Sequence, residues 1–144
     1  EEMLRETLRY NPQFTQANML LSKVLEKQNK VDEAIQNLEK MTKREPEPWS
    51  AFFALGKLFM KLKRFTDAIN SFKESIKLNS DNATIWFYLG KAYVKDEKYQ
   101  QAIDSQEQAL KLNPEMHMAT LNLSKSLILN KNHKKAKILL HKTS

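Results

Sequence analysis

The sequence predicts an all-α solenoid, in which one pair of antiparallel helices is copied and stacked. Three observations carry this reading. The chain repeats itself every 34 residues, so that Leu21, Leu55, Leu89 and Leu123 share one column and Ala34, Ala68, Ala102 and Ala136 share another. Within each copy, apolar residues return at steps of three and four, the spacing of one helical face. Only two glycines and four prolines interrupt a chain of 144 residues that is 41% apolar, a composition foreign to linkers and disordered tails.

Residues 1–14 open on the pattern of a second helix (Leu4, Leu8, then Asn11 and Pro12), with its first helix missing. The first full copy, 15–48, predicts helices over 15–28 and 31–44. The second, 49–82, predicts helices over 49–62 and 65–78. In the third, 83–116, Trp86, Leu89, Ala92 and Tyr93 line one face of a helix over 83–95. Asn82, Asp81 and Ser80 are its N-cap candidates, because their side chains can accept from the first free backbone N–H groups. Asp96, Glu97 and Lys98 break that face. A second helix then runs through Tyr99, Ala102, Ile103, Ala109 and Leu112 to Asn113 and Pro114, where proline ends the hydrogen-bond ladder. Residues 117–144 begin a fourth copy, with helices expected over 117–130 and 133–144.

These residues resemble the tetratricopeptide repeat family. In 83–116, Trp86, Leu89, Gly90, Tyr93, Tyr99, Ala102, Ala109 and Pro114 stand where the family signature has them. Residues 49–82 match through Phe52, Leu55, Gly56, Phe59, Phe65, Ala68 and Phe72, but carry Ser80 in place of the proline. Residues 15–48 diverge, with Asn18 at the large-residue position and Ser22 at the glycine position. Gln106 is an apolar position turned polar, and Ser124 replaces the last glycine. The resemblance implies a right-handed superhelix of three full repeats flanked by partial ones. Gly56 and Gly90 are expected where the paired helix presses closest, with Ala68 and Ala102 facing them. Neither end of the chain carries a polar capping element, so the expectation is a piece of a longer array whose terminal faces, Leu4, Leu8, Ile138 and Leu140, favour self-association.

The resemblance also implies a concave groove lined by positions 2, 5, 9, 12 and 13 of each first helix. Position 5 is Met19, Phe53, Phe87 and Leu121, apolar in every copy; position 9 is Lys23, Lys57, Lys91 and Lys125. Position 13 is Lys27, Lys61 and Lys95, then Leu129. Steps of four hold these on one face. An apolar stripe beside two lysine rows suits an extended or helical segment with apolar anchors and acidic residues. Phe53 and Phe87 are the expected anchors, and Lys57 and Lys91 the expected charge partners, supported by Lys23, Lys61, Lys95 and Lys125. The same lysines have a plainer account: lysine is a good helix former, and in a last turn it complements the helix dipole by about 0.3–1 kcal/mol.

The net charge is +7 but uneven, −1 over residues 1–14, 0, +3 and −1 over the three full repeats, and +6 over 117–144, where six lysines meet no acid. Phosphate tracking is the other use for such charge. Twenty lysines against four arginines speak against nucleic acid, because planar phosphate and base-edge recognition favour arginine. The clamp by which some family members grip chaperone C-terminal carboxylates needs Lys at position 5, apolar here in every copy, so chaperone-tail binding is not expected. No cysteine is present, and His117, His133 and His141 form no i, i+4 pair and have no acidic neighbour in their segment. Both glycines lie inside helices, leaving no phosphate-cradling loop. No catalysis, cofactor or metal is expected, no apolar run approaches the roughly 18–20 residues of a membrane span, and a cytoplasmic setting is the expectation. The reading is a binding module of a larger scaffold or adaptor; an architectural segment joining subunits and a regulatory array of an enzyme are the alternatives.

Overall fold

The computed structural model describes residues 15–44 and 46–143, with side chains as far as residue 134. The described residues form seven helices and no strand: α1 (Thr15–Lys27), α2 (Val31–Arg44), α3 (Trp49–Lys61), α4 (Phe65–Leu78), α5 (Ala83–Lys95), α6 (Tyr99–Leu112) and α7 (His117–Thr143). The chain divides into two compact units, 1–80 and 81–144. In the first, α1 packs on α2, α2 on α3 and α3 on α4; in the second, α5 packs on α6, and α7 packs on both. The expected helix near 1–11, with Leu4 and Leu8, lies outside the described residues, as do the side chains of Ile138 and Leu140.

Six helices match the expected spans to within a residue, and the buried positions explain why. In α1 the buried residues are Ala17, Asn18, Leu21, Ser22 and Leu25; in α2 they are Ala34, Ile35, Leu38 and Met41. Each set lies one helical turn apart, so each helix has one inward stripe and must pair to cover it. At the glycines the paired helices leave no room for a side chain. A Cβ added to Gly56 would collide with the ring of Phe72, and one added to Gly90 with the side chain of Gln106. The first repeat carries Ser22 at this position, and its hydroxyl accepts a hydrogen bond from Asn37 Nδ2 (2.9 Å), which also donates to the Asn18 carbonyl (3.0 Å). The polar Ser22 of that repeat is therefore satisfied internally, as burial demands.

The turns inside the repeats obey the 34-residue period in their backbone. Asn29, Lys63 and Glu97 all take left-handed φ values, 62°, 59° and 59°. After each, an N–H reaches back to close the helix end: Lys30 to the Leu25 carbonyl (2.8 Å), Arg64 to Phe59 (2.9 Å), Lys98 to Tyr93 (2.8 Å). This closure satisfies carbonyls that a helix end leaves free. At the start of α5 the cap is Asn82, whose side chain accepts from Thr84 N–H at 3.0 Å. Asn79 and Asn113 end α4 and α6 with φ of −148° and −142°. The same extended exit therefore forms whether Ser80 or Pro114 follows.

The fourth copy departs from expectation. Instead of two helices broken near residue 131, α7 runs unbroken from His117 to Thr143, and Lys131, which aligns with Asn29, Lys63 and Glu97, has no left-handed φ. A left-handed turn strains an L-residue by about 1–2 kcal/mol and forms only where the returning helix makes up the cost. In the complete repeats that helix brings Ile35, Ile69 or Ile103, each buried; the aligned residue in the fourth copy is Lys137. A lysine cannot repay the turn by burial, so the helix continues.

Candidate peptide-binding face

Within the first unit, α1 and α3 bring their predicted groove positions together. Lys61 on the last turn of α3 pairs with Glu26 on the last turn of α1. One turn earlier, Lys57 extends over the ring of Phe53, its Nζ 4.7 Å from the ring centroid. An ammonium over an aromatic face gains about 0.5–1 kcal/mol where solvent reaches it. Phe53 is half-buried and leans on Phe72, with ring centroids 5.8 Å apart, so the ring is braced from below by the core. Met19 is half-buried too, and Lys23 is exposed.

The charge balance of this cluster is uneven. Partial burial, and then repulsion from Lys23 and Lys61, holds the Lys57 ammonium below its ordinary pKa of 10.5, and Glu26 alone pulls the other way. Among the described residues, Lys23, Lys57 and Lys61 thus gather about Glu26, which is paired with Lys61. Sequence reasoning about the lysine rows missed Glu26. The available signal was its place at position 12, one residue from the lysine row of position 13.

The second unit corrects one expected site residue. Phe87 is 4% exposed and belongs to the core, packed with Ala109 and Ala119 and flanked by Trp86, Tyr88, Leu110 and Met116. The small side chain of Ala119 lets α7 come close enough to cover the ring, so Phe87 is no open anchor. Lys91 lies over that edge of the core, with Nζ 5.5 Å from the Phe87 ring and 5.2 Å from the half-buried Tyr88 ring. Lys95 is exposed at the end of α5, and Leu121 and Lys125 are exposed one turn apart on α7. Among the described residues, no group of three or more His, Asp or Glu side chains could hold a metal ion, and no helix is long and apolar enough to cross a membrane.

Repeated hairpins that meet at a buried small residue, with Phe72 rather than Ala68 against Gly56 and Gln106 rather than Ala102 against Gly90, and a left-handed turn every 34 residues agree with the comparison against known families. The model of the tetratricopeptide repeat protein 21 C-terminal ARM domain matches residues 3–118. The chain belongs to this family. No curated protein matches it. Among solved structures, this tetratricopeptide-repeat chain shares its fold with MamA 41-end from Desulfovibrio magneticus RS-1, at 22% identity and a TM-score of 0.77, over 96% of this chain and 78% of that one. The first TPR domain of the human RPAP3 protein is similar at 22% identity and a TM-score of 0.78, over 87% of this chain and 98% of that one. The first TPR of Spaghetti (RPAP3), solved bound to the HSP90 peptide SRMEEVD, is similar at 24% identity and a TM-score of 0.71, over 77% and 88% of the two chains.

Proposed function

We propose that this chain is a protein-interaction module that holds an acidic, partly apolar segment against α1 and α3 of its first unit. The observation that carries the reading is the crowding of Lys57 by Lys23 and Lys61 above the braced ring of Phe53. A carboxylate arriving between these ammonium groups relieves their repulsion, while Met19 and Phe53 offer apolar contact beside it. Charge complementarity of this kind sets register and on-rate, and the apolar anchors supply most of the affinity. Lys91, Lys95 and Lys125 would extend the attraction to partners lying along the second unit. That an RPAP3 repeat domain holds SRMEEVD, a segment mixing Met and Val with acids, agrees with this class of ligand. Position 5 is apolar in all four copies here, so the proposed segment offers internal acidic side chains rather than a free terminal carboxylate.

The test is an affinity capture from source-cell lysate, read by mass spectrometry, with the wild type beside a Lys23→Glu/Lys57→Glu variant of unchanged circular dichroism. A partner retained by the wild type and lost from the variant is the expected result. Retention of every partner by both proteins would remove the function from this face.

A further inference from the structure

The unbroken course of α7 leaves bare a face that each complete repeat covers. Position 11 of the first helix is Leu25, Phe59 and Tyr93 in the three full copies, exposed by 2%, 7% and 7%; in α7 it is Leu127, exposed by 50%. Position 8 is Ser22, Gly56 and Gly90, all buried, and in α7 it is Ser124, exposed. Both positions are where a repeat's second helix normally lies. The opposite side of α7 is already used, since Ala119 and Ser126 are buried. A small residue at position 8 and a large apolar one at position 11 are the two features that admit a second helix, and α7 has both.

The repeat itself says what kind of element fits there, and charge says whose it is. The cover is an α-helix with a small residue toward Ser124 and an aliphatic one toward Leu127, like the Ala–Ile pairs at 34–35, 68–69 and 102–103. The chain's own continuation is a poor cover, because it offers Lys137 in place of the isoleucine. Lys125, Lys131 and Lys134 are exposed around the face, and residues 117–144 contain no acid to offset them. A second copy is a poor cover as well: its α7 would bring the same lysines and be repelled, and its other helices are already packed on one another. We propose that the bare face of α7 docks an acidic amphipathic helix of a protein partner, which completes the fourth repeat in trans. This is a helix laid along a helical face by apolar contacts at i, i+3 and i+4 spacing, with acids reaching the flanking lysines. The surface is separate from the α1–α3 face.

The probe is a peptide built on this chain's own α6, Tyr99–Leu112 with Lys111→Glu, held helical by a hydrocarbon staple because an isolated helix this short is marginal in water. Its binding to the 144-residue chain is followed by fluorescence anisotropy. The expected result is saturable binding, weakened at least about tenfold when the three acids of the peptide are changed to lysine. Leu127→Asp, which places charge on an already half-exposed position, should abolish the binding without changing the circular dichroism. Lys57→Glu should leave it intact, which separates this site from the one proposed above. Absent binding, equal binding of acidic and basic peptides, or indifference to Leu127→Asp would overturn the proposal. So would a dimer of the wild type, seen by sedimentation without peptide and lost in Leu127→Asp, which would assign the face to a second copy.

Discussion

At the scale of single residues, the two glycines occupy one column but face different neighbours. Gly56 meets the ring of Phe72, which is fully buried and rigid; Gly90 meets the end of Gln106, a side chain with more rotamers. An alanine gains about 1 kcal/mol of helix propensity over glycine at either place. At Gly56 that gain is set against a clash with a ring that cannot step aside, and overpacking of this kind costs about 1–3 kcal/mol. Gly56→Ala is expected to destabilise the protein in urea, and Gly90→Ala to cost about 1 kcal/mol less. Equal losses would mean that Gln106 is as firmly held as Phe72. Gln106 has a reason to be loosely tied: its Nε2 donates to the Phe87 carbonyl at 3.2 Å, but its buried Oε1 has no hydrogen-bond partner. A buried carbonyl without a donor costs free energy, so a move that finds Oε1 a partner offsets the loss of the Nε2 bond.

At the scale of the element, the turns are where the repeat stores strain. Asn29, Lys63 and Glu97 hold the same left-handed backbone, yet only asparagine tolerates it readily. Glycine at either of the other two should stabilise the fold by about 0.5–1 kcal/mol, its freedom from Cβ strain partly offset by the entropy it loses on folding. Asn29→Gly should gain less. Urea midpoints of the three variants check the order, and a loss at Lys63→Gly or Glu97→Gly would show that the side chain there makes a contact worth more than the strain. These turns also mark what could be read from sequence. Six helices were legible to a residue because each depends on its own apolar stripe and its nearest partner. The continuity of α7 was not, because it depends on a balance between turn strain at Lys131 and the packing that Lys137 fails to supply. The burial of Phe87 was hidden for a related reason. Its column is half-open at Phe53 and closed at Phe87, where α7 presents Ala119 to the ring. Periodicity gives the direction of a side chain; it does not say how near the next helix will come.

At the scale of the whole molecule, the excess charge resides in two different settings, and salt distinguishes them. Lys57 lies over the half-buried ring of Phe53, within a cluster that also holds Lys23, Lys61 and Glu26. The six lysines of residues 117–144 have no acid among them, and those with described side chains are exposed. Mobile ions screen exposed charges over a Debye length of about 10 Å at 0.1 M salt and about 3 Å at 1 M, but leave apolar contacts in place. An acidic partner held by the lysines of α7 should therefore lose affinity steeply as salt rises, whereas one held over Phe53 should keep the part that comes from apolar contact with the half-buried Met19 and Phe53. Titrating one captured partner at about 0.1 M and 1 M salt, against wild type, Lys57→Glu and Lys131→Glu/Lys134→Glu, assigns the contact. If the steep salt dependence disappears in the Lys131→Glu/Lys134→Glu variant, the partner is drawn by the C-terminal lysines. If it disappears only with Lys57→Glu, the first unit supplies the attraction, and the +6 segment is solvated surface for that partner.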